Sequence, residues 1–464
     1  MARVLGFCMR TEGCTVGRSG SGREAFGSRV GFVLSTAGAA IGLGNLWRFP
    51  WLCGENGGGA FLLIYLGIMF LVGIGLFMCE VTLGRATRRC SVGAFSEIRK
   101  SWGWAGVLGP FTSFLELCFY SVVGGWVICY FLHALAGFGN MTPSESAQLF
   151  ADLTSDPFLP IAFHGVFIGA TMIICLKGVR GGIERFSMMM TPLLFVLVFV
   201  LVVHALALPG SREGIRFYLV PDFSKVTAAT FRDALGQVFF SLSIGTGSIL
   251  TYGSYLGSKE NIPMLSVAVS LMDTAIAFMA GLIIFPVAFS YGFEPTAGMG
   301  LTFITLPAVL GEMPAGNLFG ALFFFLFLAA ALTSSISYLE TIVACLIEAK
   351  GWNRGLAVTL SGVLVFVVGC VSSLSLGLLS GFTVGGLSLF GLLDWLAVVV
   401  LQPLGGMILA IFVGWVWGKN NVLCEVTNGG EIRFRPGSAW VDVVLKLIAP
   451  ILIVVIILAG LGLI

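Results

Sequence analysis

Residues 38–50 read GAAIGLGNLWRFP, Gly38 to Pro50, an apolar stretch interrupted by glycines at 38, 42 and 44 that also carries Asn45 and Arg48. Glycine loses more backbone entropy in a helix than alanine and is at home in non-helical φ/ψ, so this stretch resists a continuous helix. Unwound backbone at membrane depth is tolerated only where it lines a cavity or is buried in protein. There its free carbonyls can hold a cation and its free N–H groups an anion. A broken span of this kind predicts a binding site within a bilayer, and therefore a transporter.

The rest of the chain supplies the membrane. Its 464 residues are 57% hydrophobic and only 10% charged, with a mean hydropathy of +1.00. Soluble proteins carry about 25% charged residues, so this is an all-α integral membrane protein with no room for a sizeable soluble domain. A net charge of +2 gives no reason to expect a nucleic-acid partner. Residues 1–29 lack the apolar core of a signal peptide and are polar and basic, which predicts a cytoplasmic tail. The 11 cysteines are scattered, mostly in apolar segments, without a CxxC pair. They read as small buried hydrophobes, while Cys8 and Cys14 lie in the tail.

A span needs about 20 apolar residues. Spans are predicted near 30–52, 60–83, 107–135, 159–176, 187–207, 229–255, 262–291, 315–348, 356–376, 386–418 and 440–463. These eleven place the termini on opposite sides. With the N-terminus inside, the cytoplasmic segments hold 20 of the 25 basic residues, Arg85, Arg88, Lys177, Arg180 and Lys350 among them. The positive-inside rule therefore predicts a cytoplasmic N-terminus and an external C-terminus, in the inner (cytoplasmic) membrane of the cell. The acidic segment 140–156 reads as an external loop. The sixth span is broken like the first, with FSLSIGTG at residues 240–247. Two glycine-interrupted spans at matching positions are the sign of an inverted repeat. That predicts halves at 30–207 and 229–418, with 440–464 as an added eleventh helix.

GLGNLWRFP followed by ENGGGAF (Glu55 to Phe61), together with SLSIGTGSILTYGSYL (Ser241 to Leu256) and ALTSSIS (Ala331 to Ser337), resembles the neurotransmitter:sodium symporter family from about Arg23 to Gly418. Ending after an eleventh span resembles its bacterial amino-acid transporters. The resemblance implies two sodium sites. The first would use the Ala40 carbonyl, Asn45, Ser241 and Asp273, completed by the substrate carboxylate. The second would use the carbonyls of Gly38, Ile41 and Ala330 with the hydroxyls of Thr333 and Ser334. Adjacent hydroxyls also have a plainer reading, bonding back to the preceding turn. Asp273 stands where the family often has Asn, and Ala277 replaces a hydroxyl of the chloride-dependent members. This implies that Asp273 supplies the negative charge and chloride is not required. A protonated Asp273 tying helices together is the other reading.

For substrate, the family's monoamine carriers place Asp at the position of Gly42. Glycine here, with Gly44, implies room for an α-carboxylate at a helix N-terminus. Tyr120 would donate to that carboxylate and Phe240 would close over it. The remaining wall would comprise Ala40, Glu116, Ser241, Ser243, Thr246, Ser334 and Tyr338. Glu116 departs from the family's apolar residue. It lies one turn before Tyr120, on the same face. Either it faces the pocket or it is protonated and tied to neighbouring backbone.

Gates are implied by pairing Arg48 with Asp394 outside and Arg23 with Glu348 inside. Phe26 stands where the family has Trp. Gly182 and Pro192 bracket the start of the fifth span, as a hinge that opens inward or as a plain helix start. The sequence thus reads as a sodium-coupled importer of an amino acid working by alternating access. Another zwitterion, such as an osmolyte or γ-amino acid, or a non-transporting sensor on the same scaffold, are the alternatives. His133, His164 and His204 are far apart in sequence, and no nucleophile–base–orienter set or GxxxxGK[ST] motif is present, so no enzyme is expected. The sequence leaves the oligomeric state open.

Overall fold

The computed structural model describes residues 24–139, 141–292, 301–312 and 315–460. Among these the chain is a helical bundle, with only two isolated β-bridges, Gly58 to Pro221 and Val384 to Leu387. Among the described residues nine helices are long and apolar enough to cross a bilayer: α3 (Gly59–Thr87), α4 (Ala105–Ala136), α5 (Leu159–Leu176), α6 (Val179–Leu206), α9 (Ile262–Ser290), α10 (Gly316–Lys350), α11 (Arg354–Leu374), α12 (Leu389–Val426) and α13 (Gly437–Val455). Ahead of them come α1 (Arg29–Ala40) and α2 (Gly44–Glu55), one span bent by 47°. Between α6 and α9 lie α7 (Ala228–Ser241) and α8 (Ser248–Ser254), each too short to cross alone.

Each predicted span falls on one of these helices or helix pairs. The fifth begins at Val179 rather than near 187, and the tenth runs to Val426 rather than 418. The segment 140–156 is not a plain loop. It contains a helix, Pro143–Ser155, started by a capping box in which Thr142 and Glu145 satisfy each other's backbone N–H groups.

The two breaks have local causes. Helix α1 starts on Ser28, whose hydroxyl accepts from Gly31 N at 2.9 Å, and stops where Ile41 turns extended at ψ 109°. The second break requires left-handed backbone at Ser243 (φ 51°), Gly245 (86°) and Gly247 (72°), a region glycine enters without strain. Both breaks sit in the middle of the bundle, where residues 35–47 and 237–256 are buried. Helix α4 is a central pillar with 83% of its most apolar window buried, whereas α13 is peripheral at 28%. Close approach comes from small residues: a Cβ on Gly253 would fall 2.8 Å from the Val81 backbone, and Gly84 abuts the Leu250 carbonyl.

Candidate functional site

The bend between α1 and α2 frees backbone groups that must find partners in a dry interior. Gln237 on α7 donates to the Gly44 carbonyl at 2.8 Å. Gly42 N donates to Asn45 Oδ1 at 3.0 Å, and Leu43 N donates to the Tyr120 hydroxyl at 3.2 Å. A side chain at Gly42 would collide with that hydroxyl and with Ser334 Oγ. The break is thereby held against α4, α7 and α10.

Asn45, Ser241 and Asp273 converge, all fully buried. The Asn45 amide nitrogen donates to Ser241 Oγ (3.1 Å), Asp273 O (3.0 Å) and Asp273 Oδ1 (2.8 Å). Ser241 in turn donates to Asp273 Oδ2 at 2.7 Å. Turning the amide by 180° would present Oδ1 to the same nest of oxygens. Such an all-oxygen donor set around a carboxyl suits a hard monovalent cation. Ala40 ends α1 close by in sequence.

The second set also assembles across helices. Ser334 Oγ donates to the Ile41 carbonyl at 3.1 Å and lies 3.5 Å from the Gly38 carbonyl, reaching from α10 to the end of α1. Thr333 behaves differently, bonding back to Ala330 O at 2.8 Å, the plainer reading of a helical hydroxyl. Its oxygen retains acceptor capacity beside these carbonyls, and the set fits a hard cation by its chemistry.

Around Gly42 lies a wall of the expected residues. Phe240 packs on Gly44, where a Cβ would fall 2.9 Å from its ring. Above that ring stands the Arg48 guanidinium, 5.1 Å from its centroid, paired with Asp394 at 3.3 Å. Tyr120 and Tyr338 meet edge to face at 5.6 Å. Among the described residues, Glu116 bonds side chains rather than backbone. Its carboxyl accepts from Tyr338 OH at 2.6 Å and Gln402 Nε2 at 3.1 Å. Ser243 Oγ lies 3.4 Å from Tyr338 OH, while the Thr246 hydroxyl turns back to Ser243 O at 2.7 Å.

At the end of the bundle near the N-terminus, Arg23 lies outside the described residues. Glu348, its expected partner, accepts from Cys90 N at 2.8 Å and approaches Arg89 at 3.4 Å. Gly182 sits in a widened helical turn, residues Val179–Glu184, pressed on the Ile174 carbonyl, and Pro192 lies within the helix that follows. The fifth span is helical here through both residues.

Several structurally prominent residues escape the sequence reading. Glu80 on α3 accepts from Gly245 N (2.8 Å) and Leu250 N (3.1 Å), and so holds the second break. A lone carboxylic acid in an apolar run was the available signal. Gln237 and Gln402 were legible only as amides inside spans. Glu184 accepts from Gly27 N (2.6 Å) and Ser28 N (3.1 Å). Arg354 donates to Glu24 at 3.1 Å and to Glu340, which also accepts from Tyr255 OH at 2.7 Å.

The profile of the sodium:neurotransmitter symporter family matches residues 23–142 and 160–463. A sodium-dependent transporter of Bacillus subtilis is 37% identical over 438 residues, 94% of this chain and 97% of that protein. The sodium- and chloride-dependent GABA transporter 2 of Mus musculus is 28% identical, covering 89% of this chain and 76% of its own length. Among solved structures, MhsT in complex with L-phenylalanine superposes with a TM-score of 0.88 at 39% identity, over 95% of this chain and all of that one.

Proposed function

Because this chain belongs to the sodium:neurotransmitter symporter family and is a sodium-dependent transporter, we propose that it imports an amino acid together with Na⁺ by alternating access across the cell membrane. The observation that carries the reading is the oxygen nest of Asn45, Ser241 and Asp273, set beside a glycine-lined break with Tyr120 at its edge. An α-carboxylate lying against Gly42 and Gly44 would meet the start of α2 and share ligands with the first sodium. Ion and substrate then favour each other's binding, which is the linkage that coupling needs.

In this reading Ala40, Asn45, Ser241 and Asp273 serve one sodium and Gly38, Ile41, Ala330, Thr333 and Ser334 the other. Arg48 with Asp394 closes the external side over Phe240, and the N-terminal side is cytoplasmic. The two broken spans belong to inverted repeats, and Gly182 with Pro192 is where the fifth span opens inward. Asp273 carries the charge that chloride supplies elsewhere in the family, so transport proceeds without chloride. The mouse relative's name supports a second reading, a carrier of a γ-amino acid on the same scaffold.

The test is binding and uptake of the twenty amino acids and γ-aminobutyrate by the purified chain in proteoliposomes, with Na⁺ replaced by K⁺ and chloride by gluconate. Accumulation that needs Na⁺ and ignores chloride is expected. Accumulation unchanged in K⁺ would end the symport reading.

A further inference from the structure

Glu116 is fully buried about a third of the way along α4, inside a span where an acidic side chain is costly and calls for a function. Apolar packing would serve the fold as well or better. Two other spans nevertheless close on it, with Tyr338 from α10 and Gln402 from α12 both donating to its carboxyl. Among the described residues no Lys or Arg comes within hydrogen-bonding distance of it. A carboxyl group offers about four acceptor positions, and two neutral donors leave it unsaturated. The Gln402 amide nitrogen faces Glu116, so its Oε1 points elsewhere, and that buried oxygen has no partner. Unpartnered buried acceptors are uncommon and costly. The cluster is therefore short of N–H donors.

Its position relative to the break gives this shortage a meaning. Tyr120, one helical turn beyond Glu116, stands at the Gly42–Leu43 backbone, where the substrate carboxylate is proposed to lie. Tyr338 packs edge to face on Tyr120 and bonds Glu116. The Tyr120–Tyr338 pair, ring centroids 5.6 Å apart, thus links the carboxylate end to the acceptor end. The Thr246 hydroxyl already bonds Ser243 O and Ser248 N, and Ser243 Oγ meets Tyr338, so the unsaturated Glu116 carboxyl and the unpartnered Gln402 Oε1 are the strongest open acceptors of the cluster.

We propose that Glu116 and Gln402 form a side-chain subsite that selects an amino acid ending in N–H donors (an amide, amine or guanidine) over an apolar one of equal size. The proposal rests on the amino-acid reading above and names its substrate class. Sites built to hydrogen-bond a ligand reject an analogue lacking the group far more strongly than apolar pockets distinguish a methylene.

The experiment is Na⁺-dependent competition binding on the purified full chain, with two size-matched pairs, glutamine against methionine and lysine against norleucine, and with phenylalanine as a further competitor. The wild type is expected to prefer the N–H-bearing member of each pair by about tenfold or more. Gln402→Met, uncharged and of similar volume, should collapse both ratios while leaving Na⁺ dependence in place. Glu116→Leu should invert them. Glu116→Gln should lose lysine and retain glutamine. Should Glu116→Leu fail to fold, the wild-type ratios and Gln402→Met still decide. Preference for methionine, norleucine or phenylalanine in the wild type, or ratios unmoved by Gln402→Met, would overturn the subsite while leaving sodium-coupled transport intact. If no amino acid binds in Na⁺, the carrier reading falls first and the subsite with it.

Discussion

The two ends of the bundle are closed in different ways. At the end away from the N-terminus, Arg48 meets Asp394 through one contact of 3.3 Å, with the aspartate side chain 36% exposed. A cavity of about 310 Å³ reaches Arg48, lined also by Trp51, Glu55, Arg232, Asp233 and Trp395. At the N-terminal end the contacts are many and centre on a buried carboxylate, with Glu24, Gly27 and Ser28 at the exposed rim. Glu340 is fully buried and takes both Arg354 and Tyr255, Glu24 caps Val179 N at 2.5 Å and bonds Arg354, and Glu184 grips the backbone of Gly27 and Ser28. Phe26 packs among Phe32, Tyr252 and Tyr255. Arg85, only 3% exposed, ties α3 to the Glu260 carbonyl at 2.7 Å and to Glu425 at 2.6 Å. Exposed pairs contribute little and buried ones are costly to break. The difference teaches that, among the described residues, the N-terminal end is held by a lock of several largely buried charged contacts, whereas the charged contact from α2 to α12 at the far end is the partly exposed Arg48–Asp394 pair.

The largest effect is expected from Arg354→Ala. It strands Glu340 without its cation in a dry site, a change that typically costs about 3–5 kcal/mol. The locked arrangement would lose that much relative to any state that hydrates Glu340, a population shift of two orders of magnitude or more at about 1.4 kcal/mol per tenfold. Cys175 is a built-in probe, buried at this end with its carbonyl accepting from Arg354 at 2.6 Å. Its labelling by a polar thiol reagent, located by mass spectrometry, should accelerate strongly and uptake should fall. Labelling at the wild-type rate would show that Arg354 does not hold the lock.

A smaller effect is expected from Glu184→Ala. Hydrogen bonds to a charged acceptor contribute about 1.5–3 kcal/mol each, but the Gly27 and Ser28 groups can turn to water at the rim once released. A net loss of about 2 kcal/mol follows from that partial compensation. Glu184→Gln, which keeps one acceptor oxygen, should recover part of it. The check is the same labelling of Cys175 together with thermal unfolding in detergent. Equal behaviour of the Ala and Gln variants would mean the contact is packing rather than hydrogen bonding.

The contrast also marks what the sequence could reveal. The break in the first span was legible because glycines and a buried Asn sit in a run that ought to be apolar, and that local contradiction needs no partner to be seen. Arg48 was legible for the same reason. The lock was not. Arg354 reads as one more basic residue at a helix start, and its partners Glu24 and Glu340 are distant from it in sequence or hidden on a buried face. Glu80 and Gln402 could have been flagged as polar residues inside spans. Their partners, the Gly245 and Leu250 backbone and Glu116, are fixed only by how α3, α4, α8 and α12 pack.

The smallest effect is expected at the far end, and it is the sharpest check on the comparison. Asp394→Asn removes one charge from a partly exposed pair, worth at most about 1 kcal/mol. Substrate affinity should change by no more than about fivefold, with the wild type losing its advantage as salt screens the pair. Arg48→Lys keeps the charge and part of the attraction to the ring but gives up the flat guanidinium over Phe240, a net loss of about 0.5–1 kcal/mol. Both variants should leave Cys175 labelling at the wild-type rate, because the lock lies at the opposite end. If Asp394→Asn instead matched Arg354→Ala in either readout, the far-end pair would be part of the same closure as the lock. The two ends would then move as one unit, and the asymmetry seen in their contacts would not be an asymmetry in energy.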